Sequence, residues 1–204
     1  MRKTAVIIGN GELHRDLSEI VDNADFTMRF NEPAASADMT GSRTDILVLG
    51  ASGGTTQRPL STPSFLSSVA FKAAEKVVLA YHPDSVRKPR GRLRPLSPRT
   101  GRAGDWVKRT IELVGAAGKE VRIMPRQFYI DGYSELGVTE CRMHQASTSA
   151  GFFGIRYALS TLPACEWEVK LCGFSWEGAE RHSWLDERRW VKDKIASGRI
   201  SMLV

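Results

Sequence analysis

The chain has 204 residues, of which 42% are hydrophobic and 25% charged, as expected of one globular domain with a substantial core. No apolar run approaches the roughly 20 residues of a membrane span, and the run after Met1 is too short for a secretory signal. The three cysteines have no metal-ligand spacing, so we expect a reduced, cytoplasmic protein without a metal site.

Short β-branched runs alternate with longer amphipathic stretches along the chain, a pattern typical of an α/β fold. Strands are predicted over 5–8, 27–30, 46–49, 77–80, 121–123 and 169–171. Helices are predicted over 13–21, 63–74, 104–117, 150–162 and 187–197. We expect loops over 50–63, 83–103 and 125–145, and we treat residues 1–204 as a single domain.

The sequence also predicts two helix ends and the buried face of one helix. Gly118 and Gly198 each follow a predicted helix and suit a C-cap. Val107, Ile111 and Val114 share one face of the helix over 104–117, which predicts that all three are buried.

The first predicted strand ends in Gly9-Asn10-Gly11, and the second ends at Asn31. Ligands of open α/β sheets lie outside the carboxyl ends of the strands, so these amides predict a nucleotide pocket. The chain has no Walker A run, and the dinucleotide fingerprint that starts at Gly9 fails at His14, where a third glycine is needed. An ordinary turn that needs Gly and Asn only for their backbone freedom is the alternative.

The net charge of +6 is concentrated in one segment, 87–102, with seven lysines and arginines and no acidic residue. Its prolines and glycines predict a mobile surface loop over 83–103. A basic loop attracts anions such as lipid headgroups or phosphorylated glycans, which would allow peripheral contact with the inner membrane. A solvated loop without a partner is the alternative. No nucleic-acid partner is expected, because the loop has no aromatic residue for base stacking.

Small hydroxyl residues and a glycine, at Thr148, Ser149 and Gly151, begin the helix predicted over 150–162. Backbone N–H groups at a helix start can bind a phosphate or a carboxylate. A plain N-cap by Ser or Thr, which needs no ligand, is the alternative.

The strand over 169–171 leads into Gly173 and then to His182 and Glu187. If His182 precedes the helix that contains Glu187, the acid lies about one turn into that helix. Such a pair suits a general base with an acid that orients or polarises its ring. A structural or surface histidine is the alternative.

The order of these segments resembles the animal-type sialyltransferase family, glycosyltransferase family 29, in a short bacterial-type form. The family's large motif is similar to AVIIGNGEL (5–13), DFTMRFN (25–31) and GSRTD (41–45). Its small motif resembles TSAG (148–151) with GF (173–174), and its very small motif, a His and a Glu five positions apart, is matched by HSWLDE (182–187). GRISML (198–203) resembles the family's closing segment.

This resemblance implies a single Rossmann-like domain, a GT-A-like variant with a mostly parallel sheet flanked by helices. It implies inverting transfer of sialic acid from a CMP-activated donor to a glycan or glycolipid hydroxyl, without a metal or other cofactor. His182 would be the catalytic base, and Glu187 would support it or the local structure. The donor would be bound by Gly9, Asn10, Asn31, Thr148, Ser149, Gly151 and Gly173.

The chain departs from the family pattern at several positions. The large-motif cysteine is replaced at Thr4 or Ala5, which leaves Cys165 without its disulfide partner, and Ala150 stands where the family has Thr. The family's additional histidine has no counterpart over 175–181; His144 or an arginine of 87–102 is a candidate substitute. The donor sugar stays open between sialic acid and a related nonulosonic acid such as Kdo. A non-catalytic CMP- or glycan-binding relative is the alternative function.

Overall fold

A seven-stranded parallel sheet forms the centre of the computed structural model, which describes residues 1–32, 39–50, 63–82, 106–139, 143, 148–176 and 184–203. Every pair of neighbouring strands runs parallel. The predicted α/β class is confirmed, and the sheet is fully parallel.

The strands follow the predicted runs closely. They are β1 (Lys3–Ile8), β2 (Phe26–Phe30), β3 (Ile46–Leu49), β4 (Lys76–Leu79), β5 (Glu120–Ile123), β6 (Trp167–Cys172) and β7 (Ile200–Met202). The six predicted strands are all present, and their ends differ from prediction by at most two residues. The edge strand β7 was not predicted, because three residues are too short to show an alternating pattern.

Helices connect the strands. They are α1 (Ser18–Asp22), α2 (Pro63–Ser67), α3 (Val69–Ala73), α4 (Trp106–Ala116), α5 (Arg126–Glu135), α6 (Ala150–Thr161) and α7 (Trp184–Ala196). The last three pack against one face of the sheet in the main hydrophobic cluster, while α1, α2, α3 and α4 pack against the other. The central strands are buried on both faces, as expected of a parallel sheet.

Two predicted helices were too long. The helix over 13–21 begins only at Ser18, because the Leu17 N–H donates to Met39 O (2.7 Å) and the Asp16 carboxylate accepts from Ser18 N (2.8 Å). The helix over 63–74 is divided at Ser68, whose extended backbone ends α2 and whose hydroxyl caps α3 by accepting from Phe71 N.

The expectation of a loop over 125–145 was wrong for its first part, which forms α5. This segment is rich in aromatic residues and contains Gly132, so its intrinsic helix propensity is low. Tertiary packing overrides that preference: Tyr133 is buried, and a Cβ at Gly132 would lie 2.8 Å from the ring of Phe153.

The predicted ends of two helices are confirmed, but the predicted buried face of α4 is confirmed only in part. Gly118 and Gly198 adopt φ angles of +73° and +70°, which confirms both helix ends. Val107 and Val114 are buried, but Ile111 is 42% exposed, and Thr110 occupies the buried position instead. Cys165 is exposed and has a free thiol. None of the described helices is long and apolar enough to span a membrane.

Candidate functional site

The order of strands creates a crevice beyond the carboxyl ends of β1 and β6. The order is β5-β4-β3-β2-β1-β6-β7, so the chain leaves β1 toward β2 but leaves β6, on the other side of β1, toward β7. Connections that diverge from two adjacent parallel strands open a crevice beyond their carboxyl ends, which is the usual ligand position in such sheets. Gly9 follows β1 and Gly173 follows β6, so both predicted glycines lie at this crevice.

The backbones after β1 and β6 are in close contact. The Gly9 N–H donates to Cys172 O (2.8 Å), and the Gly11 N–H donates to Gly173 O (2.7 Å). A Cβ at Gly9 would lie 2.1 Å from Gly173 O, and Gly173 has a φ of +66°. Glycine at these two positions is therefore required by the fold itself, whether or not a ligand binds.

The two predicted asparagines connect consecutive strand ends. Asn10 Nδ2 donates to Phe30 O at the end of β2 (3.0 Å), and Asn31 Oδ1 accepts from Gly50 N after β3 (3.0 Å). Asn31 does so from a left-handed backbone conformation, with a φ of +52°. Within the described residues, Asn10 Oδ1 and Asn31 Nδ2 make no further hydrogen bond, so each amide keeps polar capacity for a ligand.

Half-buried Ser149 at the start of α6 is hydrogen-bonded to buried Glu187 in the first turn of α7. Glu187 Oε1 accepts from the Ser149 N–H (2.7 Å), and Glu187 Oε2 is 2.6 Å from Ser149 Oγ. Ser149 Oγ also caps α6 by accepting from Phe152 N (3.0 Å). The plain N-cap expected as an alternative is therefore present, with an acid from α7 bound to it.

Burial controls the charge of this acid. The Glu187 side chain is 0% exposed, and desolvation raises its pKa from 4.5 to about 7. The two bonds from Ser149 favour the ionised form and oppose this rise in pKa, while the nearby charge of Asp186 adds to it. Glu187 can therefore exist in either protonation state near neutral pH.

Tyrosines from two other elements hold the residue before Ser149. The Tyr81 hydroxyl donates to Thr148 O, and the Thr148 N–H donates to the Tyr133 hydroxyl (3.4 Å). Burial raises the pKa of Tyr81 far above its usual value, so this hydroxyl stays protonated as a donor. Thr148 Oγ1 is buried and has no hydrogen-bond partner among the described residues, which is unusual in a folded protein.

Gly151 brings the helix start against the segment after β6. A Cβ at Gly151 would lie 3.1 Å from the Phe174 ring and 3.3 Å from Ser149 Oγ. Phe174 also stacks on Trp176 and meets Phe30 edge-on. The segments over 148–151 and 173–174, widely separated in sequence, are thus in contact beside the crevice.

Most of the predicted site residues lie close to one another in the structure, but not all of them are described. Gly9 lies against Gly173, Gly151 against Phe174, and Ser149 against Glu187. His182, His144, the whole basic loop predicted over 83–103 and residues 51–62 of the loop predicted over 50–63 lie outside the described residues. Among the residues that are described, no group of three or more His, Cys, Asp or Glu is arranged to hold a metal ion.

Sequence reasoning missed one buried residue beside the site. The Arg29 guanidinium is 1% exposed and donates to Thr40 Oγ1 (2.7 Å), Thr40 O (2.6 Å) and Gly41 O (3.0 Å). Its Nε lies within hydrogen-bond distance of Arg43 O and Thr44 Oγ1. The available signal was a single charged residue, an arginine, inside a short and mostly apolar strand. Arg29 fixes the segment over 40–44 to the sheet, so this segment has a structural role.

Comparisons with known proteins give a consistent fold. No family model matches the chain. A mammalian sialyltransferase in complex with Gal-beta-1-3GalNAc-ortho-nitrophenol has a TM-score of 0.56 at 13% identity, covering 99% of this chain and 69% of that one. The sialyltransferase CstII of Campylobacter jejuni, in complex with CMP-3FNeuAc, has a TM-score of 0.57 at 13% identity, with coverage of 98% and 78%. A CST-II complex with a trisaccharide acceptor and CMP has a TM-score of 0.58 at 13% identity, with coverage of 98% and 80%.

One named relative is similar in sequence. It is the "urease operon 23 kDa accessory protein" of Rhizobium meliloti (strain 1021), 24% identical over 202 residues, or 98% of this chain and 93% of that protein. The structural likeness, at 13% identity, establishes the fold alone. The chain is therefore a single α/β domain with the Rossmann-like fold of sialyltransferases.

Proposed function

We propose that this protein is a glycosyltransferase that transfers sialic acid, or a related nonulosonic acid such as Kdo, from a CMP-activated donor to a glycan or glycolipid hydroxyl. The observation that supports it most is that segments far apart in the sequence meet at the crevice. Residues 9–11 and Gly151 both contact the segment 173–175, and Ser149 is hydrogen-bonded to Glu187. The solved structures of similar fold include complexes with CMP, with CMP-3FNeuAc and with acceptor glycans.

The asparagines suit the nucleotide end of such a donor. Asn10 and Asn31 each use part of the amide to connect strand ends and keep part available, among the described residues, at the carboxyl edge of the sheet. Cytosine presents both acceptors and a donor, so a pair of amides can recognise it without a charged side chain. We assign Asn10 and Asn31 to the CMP moiety.

The start of α6 suits the anionic part of the donor. The first N–H groups of a helix have no intrahelical acceptor and carry the positive end of the helix dipole. Ser149 N and Phe152 N already have partners, in Glu187 and in Ser149 Oγ. We therefore assign the N–H groups of Ala150 and Gly151 to the phosphate or carboxylate of the donor.

The proposed chemistry is an inverting displacement with His182 as general base. The acceptor hydroxyl gives its proton to the imidazole as its oxygen bonds to the anomeric carbon of the donor sugar. The bond from that carbon to the phosphate oxygen breaks, and CMP leaves with the bonding electrons. A neutral imidazole is required for this step, and a positioned base of this kind contributes about 10²–10⁴-fold to turnover.

Within this proposal Glu187 supports the site through Ser149. Both of its carboxylate oxygens are engaged by Ser149 in the structure. The acid therefore sets the position of the helix start that faces the donor.

Calorimetric titration with CMP tests the nucleotide assignment, with UMP and NAD as ligand controls. We expect selective CMP binding that weakens in Asn10→Ala and in Asn31→Ala, because each change removes hydrogen-bonding groups from the crevice. Asn23→Ala is the matched control: Asn23 is exposed, its amide donates to Glu19 O at the end of α1, and its loss should leave CMP affinity unchanged. A folded protein that binds no CMP would contradict the proposal.

A non-catalytic CMP- or glycan-binding protein is the second candidate. It is favoured by the lack of a second histidine over 175–181 and by the relative whose name describes an accessory protein of a urease operon. Binding of CMP without any transfer to a panel of glycan acceptors would support this candidate over the transferase.

A further inference from the structure

The hydrogen atoms between Ser149 and Glu187 can be counted. A serine hydroxyl has one hydrogen to donate, and an ionised carboxylate can only accept. While Glu187 is ionised, the hydrogen between Ser149 Oγ and Glu187 Oε2, 2.6 Å apart, must belong to Ser149. Ser149 then offers only a lone pair to any other molecule, and a lone pair repels an anion.

Protonation of Glu187 reverses this polarity without moving either residue. The acid proton can occupy the same 2.6 Å contact, so that Glu187 donates and Ser149 Oγ accepts. The Ser149 N–H keeps its bond to Oε1 at 2.7 Å, and Phe152 N keeps its bond to Oγ. The Ser149 hydroxyl hydrogen is then free to donate to a further acceptor.

A ligand has room beside this hydroxyl. Ser149 is half-buried rather than enclosed, and Gly151 lacks the Cβ that would lie 3.3 Å from Ser149 Oγ. Next to it, Thr148 Oγ1 is buried and unpaired among the described residues, so a second hydroxyl in the same turn has unused hydrogen-bonding capacity.

The groups around Glu187 leave its charge uncompensated within the described part of the chain. On α7 its neighbour Asp186 is acidic and is bonded to Arg189 (2.8 Å). Tyr81, two residues after β4, stays neutral. Tyr133 of α5 lies beside Thr148. Glu135, also on α5, is bonded to Arg156 and to Trp190 of α7. No described basic side chain forms an ion pair with Glu187.

We propose that Glu187 is a positioning residue that takes up a proton when an anionic group binds at the start of α6, so that Ser149 changes from acceptor to donor. The identity of that anion, part of a CMP-linked donor, rests on the proposed function. The exchange of one proton between solvent and Glu187 is the only chemical change, and no other bond forms or breaks.

Carbon NMR of the Glu187 side-chain carboxyl tests the inference in the free protein. The resonance is assigned by its loss in Glu187→Gln. We expect a titration midpoint near neutral pH, well above that of an ordinary glutamate, and a further rise of the midpoint when inorganic phosphate or CMP is added. A midpoint at the ordinary value, or one that neither anion moves, would overturn the inference whatever the protein binds.

Calorimetry of CMP binding at pH 8, in two buffers of different ionisation enthalpy, counts the protons taken up. The CMP phosphate has a second pKa of about 6, so it is mostly a dianion at pH 7 and above. We expect wild type to take up close to one proton more than Glu187→Gln, whose amide donates to Ser149 permanently. The dissociation constant of wild type should rise up to about tenfold per pH unit above 7, while that of Glu187→Gln stays level. Asp193→Asn, which removes an exposed acid farther along the same helix, is the matched control and should behave as wild type.

The outcomes separate the two proposals. Equal proton uptake by wild type and Glu187→Gln, with CMP bound by both, would overturn the inference and leave the proposed function standing. No CMP binding by any folded version would contradict the proposed function, and the carboxyl titration with inorganic phosphate would then decide the inference by itself.

Discussion

Arg29 shows how one residue can determine the shape of a whole segment. Its guanidinium is buried beside the sheet, and all its partners are neutral oxygens from residues 40–44. Desolvation lowers its pKa and the nearby charge of Asp22 opposes this, but a guanidinium stays charged in proteins. These hydrogen bonds therefore offset much of the cost of burial. The planar fork of arginine can reach several acceptors that an ammonium group cannot.

Arg29→Lys should therefore destabilise the protein by about 2–4 kcal/mol, because several buried acceptors lose their donor. Urea unfolding monitored by circular dichroism measures the change. Arg122→Lys is the control, since the Arg122 side chain on β5 is 54% exposed and pairs with Glu120 at the surface. A loss as small for Arg29→Lys as for Arg122→Lys would contradict the structural role.

Glu187 should make the stability of the protein depend on pH. Its pKa rises from 4.5 to about 7 on folding, so the folded state binds the proton more tightly than the unfolded chain. This contribution to the free energy of unfolding is about 3 kcal/mol. It is complete below pH 4.5 and is lost as the pH rises through 7. Urea unfolding of wild type and Glu187→Gln at pH 5 and pH 8 isolates the contribution, because the variant lacks it. The same pH dependence in both proteins would show that Glu187 does not carry it.

At the scale of the elements, β1 and β6 are joined through their glycines as well as through the sheet. Gly9→Ala would place a Cβ 2.1 Å from Gly173 O, and neither backbone can move without breaking the bonds from Gly9 N and Gly11 N. We expect a loss of at least about 3 kcal/mol in the free energy of unfolding, measured by urea titration.

Gly115→Ala is the matched control for that substitution. Gly115 lies in α4 with nothing within 4 Å of its added Cβ, so alanine should stabilise the protein by about 0.5–1 kcal/mol through its helix propensity. Tolerance of alanine at Gly9 as good as that at Gly115 would rule out the tight contact between the two turns.

Local signals predicted the elements better than the contacts between them. The β-branched runs gave six strands, because buried parallel strands are short and almost continuously apolar. Helix α5 was missed because its stability comes from aromatic packing around Phe153 and not from its own residues. The amides at Asn10 and Asn31 could be located from the ends of their strands. The bond from Ser149 to Glu187 could not, since it joins residues 38 positions apart and depends on how α6 and α7 pack.

At the scale of the whole molecule, the strand order explains why distant motifs meet. The chain builds the sheet outward from β1 to β5 and then returns to the opposite side of β1 with β6 and β7. This return brings the segments after β1 and β6 together and places α6 and α7 on the same face of the sheet. Nearly the whole chain aligns with the sialyltransferase structures, whereas 20–31% of the length of those structures has no counterpart in this chain.

The central proposal for this protein is transfer from a CMP-activated sugar with His182 as the base. The decisive measurement is the rate of CMP release from CMP-sialic acid in the presence of a glycan acceptor, in wild type and in His182→Ala, with CMP affinity measured alongside. We expect the variant to lose about 10²–10⁴-fold in turnover while its CMP affinity stays unchanged, because only the proton acceptor is removed. Turnover at the wild-type rate in His182→Ala would contradict the assignment of the base, and wild type without turnover on any acceptor would contradict the transferase.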